Sequence, residues 1–232
     1  FTYVESVEVG ELPRYVETAD INNDGAMDIV TSDFGSESVT VLINSGDGES
    51  YGRYDFRVGD QPRGLYIADF NGNGLSDIAV ANYRSYTLSV IKDPWLKIQA
   101  QGPFEEDAHY PVGNEPRGIW GGDFNMDGWM DIATADKGAD TVTIMYNNGV
   151  GDFLDKETLY VGDYGHQPRG IMSADFNMDG RMDIALSLYK SHKVLIIMNS
   201  PKEGFGDLPN NTYEYSVGAG PRALTVCDLD NN

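Results

Sequence analysis

Oxygen-bearing side chains recur at fixed spacing in four segments of the chain, and a fifth segment begins the same pattern. Each complete segment has Asp or Asn at positions 1, 3 and 5, Gly at position 6 and Asp at position 9. Hard oxygen donors suit a hard cation, and calcium takes about six to eight of them. The pattern therefore predicts about one Ca2+ per complete loop. The candidate side-chain ligands are Asp20, Asn22, Asp24 and Asp28; Asp69, Asn71, Asn73 and Asp77; Asp123, Asn125, Asp127 and Asp131; Asp175, Asn177, Asp179 and Asp183; and, in the incomplete fifth copy, Asp228, Asp230 and Asn232.

The glycine at position 6 lets the backbone turn so that the carbonyl oxygen of position 7 can face the ion. Magnesium is disfavoured, because it prefers near-octahedral geometry and retains water. No loop offers a catalytic base beside the ion, so the sequence predicts a structural role for the calcium. The position-7 carbonyls belong to Ala26, Leu75, Trp129 and Arg181.

An EF-hand and an ion-free polar turn are the two alternatives to such a calcium loop. An EF-hand opens with the same pattern, but it needs Glu at position 12 and flanking helices. Position 12 lies in a strand-like run in every copy and is never Glu, which excludes an EF-hand. Asp, Asn and Gly can also form polar turns without any ion. Because crowded carboxylates repel one another, and the five loops hold 13 of the 37 acidic residues, a bound cation is favoured.

The remaining composition excludes several function classes. A net charge of -21 argues against binding nucleic-acid phosphates, and no apolar run is long enough to insert into a membrane. The single cysteine, Cys227, allows neither an internal disulfide nor a cysteine-built zinc site. The three histidines fall in different repeats and show no catalytic spacing.

The elements that position the loops form an internal repeat. A Pro-Arg pair recurs at intervals of 49 to 54 residues, preceded each time by Val-Gly and followed by the first Asp of a loop. Each unit contains four short β-branched or apolar runs separated by turn residues, with one helical turn predicted in the segment from Trp95 to Gln101. Four strands in about 50 residues is the size of a propeller blade. The fold predicted is all-β: a β-propeller of four-stranded antiparallel blades, with an open β-solenoid as the alternative.

The repeat boundaries divide the whole chain. Residues 1–10 match a fourth strand that would close the last blade, and residues 219–232 begin a truncated further repeat. We therefore expect a single propeller domain or a fragment of a longer ring. The complete repeats are predicted at 11–59, 60–113, 114–162 and 163–218.

The loops, the Phe-Asn pair in three of them and the preceding Val-Gly and Pro-Arg pairs resemble the FG-GAP and VCBS repeats of calcium-binding β-propellers. That group includes the head of integrin α-subunits, although the integrin phrase Phe-Gly…Gly-Ala-Pro is absent here. The resemblance implies a ring of seven blades, with five as the alternative. It also implies a function among adhesion modules, lectins, receptor heads and accessory domains of secreted enzymes.

The loops at the opposite end of each predicted blade carry the candidate ligand contacts. Exposed aromatic rings near Arg suit both sugar faces and protein hot spots, although ordinary hairpin loops would look the same. The arginines of the Pro-Arg pairs are expected to form ion pairs or backbone hydrogen bonds with a neighbouring blade, with a bound anion as the alternative. The candidate ligand residues are Tyr83, Arg84, Tyr86, Tyr189 and His192.

Together these observations predict an extracellular, calcium-stabilised binding or adhesion module that recognises a glycan or a protein. Loops of this kind fill at extracellular calcium concentrations, which favours a secreted or cell-surface location. Two alternatives stay open: a propeller domain of a secreted carbohydrate-active enzyme, either a lyase or a hydrolase, and a structural spacer of a surface protein.

Overall fold

The computed structural model describes residues 6–48, 51–106, 108–202, 204–206 and 208–227. The incomplete fifth loop, with Asp228, Asp230 and Asn232, lies outside the described residues, so its ligands stay a prediction. The regular secondary structure of the described residues is almost entirely β, and the chain forms two compact units. No helix among these residues is long and apolar enough to cross a bilayer.

The first unit runs to Pro111 and includes the segment Gly149–Asp152. It contains two four-stranded sheets and one short helix, α1 (Pro94–Gln99), where the sequence predicts a helical turn. The first sheet consists of β1 (Pro13–Ala19), β2 (Asp28–Asp33), β3 (Ser38–Asn44) and β4 (Tyr51–Arg57). The second consists of β5 (Pro62–Ala68), β6 (Asp77–Asn82), β7 (Thr87–Ile91) and β8 (Ala108–Pro111).

The second unit comprises Val112–Asn148 and the chain from Phe153 onward. Its two sheets repeat the same arrangement. The first consists of β9 (Pro116–Gly122), β10 (Asp131–Asp136), β11 (Thr141–Tyr146) and β12 (Asp155–Tyr160). The second consists of β13 (Pro168–Ala174), β14 (Asp183–Leu188), β15 (Lys193–Ile197) and β16 (Thr212–Ser216).

Every sheet pairs its four strands in chain order, and every pair is antiparallel. This confirms the predicted blade architecture and is incompatible with a solenoid of parallel strands. The expectation of seven blades, or five, is not supported, because the described residues form four sheets and 217–227 contain no strand. Residues 6–10 also form no strand. A closing strand at 1–10 therefore stays a prediction.

The second and third strands of each sheet form the cores. β6, β10 and β14 are buried along their whole length, as their continuous apolar and small residues predict. In the first unit the core includes Phe56 and Ile78, and in the second it includes Ile144 and Leu186. Burying such a side chain stabilises a fold by about 1.5–3 kcal/mol. The fourth strands are mostly exposed. The packing that supports the loops therefore comes chiefly from the second and third strands.

The recurring Pro-Arg and Val-Gly pairs have separate structural causes. Pairing of the first strand with the second shifts register beside each Pro-Arg, where proline has no N–H to donate to the ladder. Three of the Val-Gly glycines, Gly10, Gly59 and Gly113, approach the last residue of the second strand closely. A Cβ on Gly113 would lie 2.5 Å from Asp136 Oδ2, and one on Gly10 would lie 2.6 Å from Asp33 Cβ. A larger residue at either position would displace the buried carboxylate.

Candidate functional site

The four complete loops connect the first and second strands of their sheets and share one hydrogen-bond pattern. In the third loop, Asp123 accepts hydrogen bonds from the backbone N–H groups of Asp127 at 3.1 Å and Gly128 at 2.9 Å. Asn125 Oδ1 accepts from the same Asp127 N–H at 3.0 Å, and Asp127 Oδ1 accepts from Trp129 N–H at 2.9 Å. The first and fourth loops repeat these contacts. The oxygens of positions 1 and 3 therefore converge on one point inside each loop.

The backbone of each loop requires the glycine that the pattern places at position 6. Its φ is +91° in Gly25, +84° in Gly74, +91° in Gly128 and +86° in Gly180, a range that L side chains rarely adopt. A second left-handed residue occupies position 4, which is Asn23, Gly72, Met126 or Met178. The glycine predicts the left-handed conformation at position 6; at position 4, Asn23 and Gly72 are compatible with it, whereas Met126 and Met178 do not predict it.

The aspartate at position 9 has a different environment from the other loop donors. Asp131 is fully buried, and its two oxygens accept hydrogen bonds from the backbone N–H groups of Phe124 at 3.0 Å and Asn147 at 2.8 Å. Asp28, Asp77 and Asp183 make the equivalent pairs of bonds. Burial is the main cause that raises the pKa of Asp131 and of Asp77 to about 6, against the lowering effect of those N–H donors. Each of these side chains ties its loop to a residue at or just beyond the end of the third strand.

A cation in these loops would be held by carboxylate and amide oxygens together. Among the described residues, no group of three or more His, Cys, Asp or Glu side chains could by itself hold a metal ion. Each loop instead brings together carboxylate and amide oxygens, which are hard donors of the class that calcium prefers. The same oxygens also accept backbone N–H groups, as they would in polar turns without an ion. The donor chemistry fits calcium, and the turns hold the donors in place.

At the opposite end of the sheets in the first unit, arginine and aromatic side chains alternate. Phe34 lies between Arg14 and Arg63, each guanidinium carbon 4.9 Å from the ring centroid, and Arg63 also lies 4.3 Å from the centroid of Tyr83. The sequence predicted ion pairs or backbone hydrogen bonds for these arginines, and it did not predict the cation–π contacts that they form. Arg84 is exposed, and Tyr86 is 38% exposed.

The second unit holds the remaining two candidate ligand residues. The guanidinium carbons of Arg169 and Arg222 lie 3.3 and 5.4 Å from the ring centroid of Tyr189. His192 is exposed, but its Nδ1 accepts a hydrogen bond from Gly220 N–H at 2.9 Å, so the proton of the neutral ring is on Nε2. Tyr189 and His192 therefore have intramolecular partners and fixed orientations.

The repeat signature matches a known family. A family profile described as the FG-GAP-like repeat matches residues 20–80 and 123–186, together more than half of the chain. The chain belongs to the FG-GAP-like repeat family. Each match begins at position 1 of a loop and ends in the second strand of the following repeat, so all four complete loops fall within the two matches. No curated protein sequence is detectably similar to this FG-GAP-like chain.

Several solved structures share its fold. They include BBS1N, solved in complex with ARL6DN (TM-score 0.59, 12% identity, covering 89% of this chain and 57% of that one). An Agrocybe aegerita lectin that recognises non-reducing terminal N-acetylglucosamine has a TM-score of 0.50 and 19% identity, over 87% of this chain and 56% of that one. A putative 6-phosphogluconolactonase from Bacteroides fragilis has a TM-score of 0.61 and 17% identity, over 93% and 58%. These likenesses support the β-propeller fold alone, and the FG-GAP-like chain spans little more than half the length of each.

The second loop of the FG-GAP-like chain departs from the first, third and fourth. Position 5 is Asn73 instead of Asp, and its Nδ2 donates to Asp93 Oδ1 at 2.6 Å. Asn71 Nδ2 also donates to Asp93, whereas the position-3 amides of the remaining loops donate to the Asp at position 5. Asp93 thus accepts the hydrogen bond that the position-5 carboxylate accepts from the position-3 amide elsewhere, while Asn73 Oδ1 still accepts the N–H of Leu75 at 2.8 Å. The sequence pattern did not include Asp93, because it follows β7, 16 residues beyond position 9.

Proposed function

We propose that this chain is a calcium-stabilised binding module of a secreted or cell-surface protein, and that its ligand is a glycan or a protein. The observation that carries the proposal is the fourfold recurrence of one loop geometry, in which side-chain oxygens at positions 1 and 3 converge. Polar turns need no such uniformity of residue type, whereas a shared ion would demand it. An extracellular location follows from the calcium concentration that such loops need.

The residues that would hold calcium are the side chains at positions 1, 3, 5 and 9 and the carbonyl of position 7, joined in the second loop by Asp93. Bound calcium would neutralise carboxylates that otherwise repel one another. The buried Asp at position 9 keeps the loop attached to the second strand and to the segment after the third strand. Because one side chain spans both segments, ordering a loop would also order the strand ends beside it.

Recognition is proposed for the loops at the opposite end of the sheets, which have no role in holding calcium. The rings of Tyr83 and Tyr189 are held against arginines, so binding a ligand would immobilise few additional side chains. Tyr86 and Arg84 are more exposed and complete the candidate surface in the first unit. A lectin with the same fold supports a glycan as one ligand class, and a propeller solved in complex with a protein supports the second class.

The calcium part of the proposal predicts about four calcium ions per chain after dialysis against millimolar calcium, as measured by elemental mass spectrometry with the dialysate as the blank. Binding to the folded state alone stabilises it by roughly 2.7 kcal/mol per site at a hundredfold excess over Kd. Chelation should therefore lower the melting temperature clearly. Zinc in place of calcium, or a melting temperature that chelation leaves unchanged, would contradict the proposal.

The recognition part is tested by changing Tyr83, Tyr86 and Tyr189 to Ala together and probing glycan and surface-protein arrays. Binding should be lost while calcium content and melting temperature are retained. The matched control changes Tyr160, Tyr213 and Tyr215, which are more than half exposed and lie on the fourth strands β12 and β16. Binding that survives the first variant, or that the control abolishes equally, would show that the loop tyrosines are not the binding surface.

A further inference from the structure

A pocket in the second unit, of about 370 Å3, contains charged residues that the calcium loops do not use. It lies where the turn between β10 and β11 meets the segment that leads into β13. The residues that form its polar wall are Glu115, Lys137, Asp140, His166, Gln167 and Lys190. Apart from Gly138, the lining residues are polar or charged, which suits a hydrophilic ligand better than an apolar one.

The acidic groups of this pocket already have partners. Asp140 Oδ2 lies 2.7 Å from His166 Nδ1, and Asp140 Oδ1 accepts the backbone N–H of Gln167 at 2.7 Å. Glu115 forms an ion pair with the ammonium group of Lys137. Both carboxylates are thus engaged in charge-assisted contacts inside the pocket.

The cationic side of the pocket keeps donors for a ligand. Among the residues that the structure describes, the Lys190 ammonium has no ion-pair or hydrogen-bond partner, and its backbone N–H donates to His166 O at 3.3 Å. Because His166 contacts Asp140 through Nδ1, its Nε2 remains for a ligand hydroxyl or, when protonated, for an anion. The two lysines and the two carboxylates of the pocket cancel in formal charge, and the Lys190 ammonium is the cation that remains for a ligand.

The first, second and fourth repeats lack this combination. Where the third repeat has Lys137, directly after its second strand, they have the aromatic residues Phe34, Tyr83 and Tyr189. The residue before the third strand has a left-handed backbone conformation in every repeat. It is Asp140 in the third repeat and Glu37, Tyr86 and His192 in the first, second and fourth. The charged pocket is a local departure from the repeat, and the requirements common to all blades do not account for it.

We propose that this pocket binds the oxyanion of an acidic sugar: Lys190 pairs with its carboxylate or sulfate, while His166 and Gln167 contact neighbouring hydroxyls. The inference rests on the glycan branch of the proposed function and deepens it by naming the sugar class. It is independent of the calcium loops. The net negative charge repels free anions at long range, so recognition depends on these short contacts.

The test titrates the full chain with methyl β-D-glucuronide, with neutral methyl β-D-glucoside and with inorganic phosphate, at about 0.15 M salt so that distant charges are screened. The readout is the ring-proton resonances of the three histidines, with His166 assigned from its loss in His166→Asn. Lys190→Glu is compared with Lys202→Glu, the same charge reversal at an exposed lysine outside the pocket. Melting temperatures establish that both variants fold.

The glucuronide should shift the His166 resonances saturably, and the glucoside should not. Lys190→Glu should weaken binding by roughly tenfold or more, the range expected for a charge-assisted contact, whereas Lys202→Glu should leave it unchanged. No saturable shift, equal loss in both variants, or a response to phosphate without one to the glucuronide would overturn the acidic-sugar site. Calcium content and the chelation melt, measured on the same samples, report separately on the proposed function.

Discussion

Asn73 and Asp93 hold the opposite residue types to their counterparts in the remaining repeats. The first, third and fourth loops have Asp at position 5 and Asn at the residue 16 beyond position 9, namely Asn44, Asn147 and Asn199. In the second repeat the amide and the carboxylate have changed places, and the two side chains touch at 2.6 Å. The number of carboxylates near the loop is therefore the same in all four repeats.

This exchange predicts that Asp93→Asn weakens calcium binding at one loop and leaves three unchanged. Loss of a charged contact corresponds to roughly a ten- to hundredfold weaker site. Calcium titration of the purified chain should resolve one weakened site among about four. The double variant Asn73→Asp with Asp93→Asn recreates the arrangement of the first, third and fourth loops and should restore that site.

Asp60→Asn serves as the control for this prediction, because it removes one exposed negative charge from the same unit away from the loop. Four unchanged sites in Asp93→Asn, or the same loss in the control, would mean that Asp93 acts only as a hydrogen-bond acceptor. The position of Asp93 could have been anticipated, since the 16-residue offset from position 9 is constant in all four repeats. The loop pattern ends at position 9 and so does not reach it.

Among the strands, β10 ends in a buried carboxylate that no loop requires. Asp136 accepts hydrogen bonds from the hydroxyls of Thr134 at 2.8 Å, Thr141 at 3.2 Å and Thr143 at 2.6 Å. Burial raises the pKa of Asp136 to about 6, although the threonine hydroxyls lower it. The second unit therefore contains an ionised group that folding removes from water at neutral pH.

The sign of the resulting pH dependence is set by the raised pKa. The pKa of Asp136 is higher in the folded state than the unfolded value of about 3.9. Such a carboxyl stabilises the fold at low pH, and its contribution to the free energy of unfolding is lost as pH rises through about 6. Relative to Asp136→Asn, the wild-type chain should gain on the order of 2 kcal/mol of unfolding free energy between pH 7.5 and 4. Chemical denaturation in chelator at several pH values measures this difference.

Asparagine is compatible with this position, because Asn82 occupies the equivalent place in the second repeat and donates to the hydroxyls of Thr87 and Ser89. Asp155→Asn, an exposed change on β12, is the matched control and should show no such divergence. Parallel pH curves for wild type and Asp136→Asn would refute the assignment.

The sequence predicted the strands and the helix more completely than it predicted the contacts between strands and side chains. The four-strand repeat, its antiparallel order and the helical turn at α1 are confirmed, because alternating apolar runs and turn residues act locally. The register shifts beside Pro-Arg and the close approach of Gly113 to Asp136 were not predicted, since they depend on which strands lie side by side. The stacking of Arg63 on Phe34 and Tyr83 was missed for the same reason.

For the whole molecule, the dominant property is the net charge of -21. After chelation, raising the salt concentration from about 0.05 to about 0.5 M should raise the melting temperature, because salt screens repulsion among the carboxylates. The increase should be smaller with calcium present. Tetramethylammonium chloride is the appropriate salt, since its cation is too large to enter a loop. Equal increases with and without calcium would show that the loops are not where the repulsion is concentrated.

The number of blades illustrates the limit of prediction at this scale. The prediction of seven blades rested on the resemblance to a family whose propellers commonly have seven. No residue pattern within a repeat specifies how many copies surround an axis. Each repeat specifies its own sheet through its own residues, whether there are four copies or more. The family, by contrast, was predictable, because its signature lies within a single repeat.

The bond from each position-9 aspartate to a residue at or just beyond the end of the third strand also bears on how such a chain can evolve. All donors proposed for one ion, including Asp93 in the second repeat, lie between the start of a loop and the residues just beyond the third strand of the same sheet. A duplicated stretch of gene that encodes one repeat would therefore carry a whole site, and its deletion would leave no half-site behind. Exchanges such as that of Asn73 and Asp93 can accordingly become fixed in one copy without any compensating change in its neighbours.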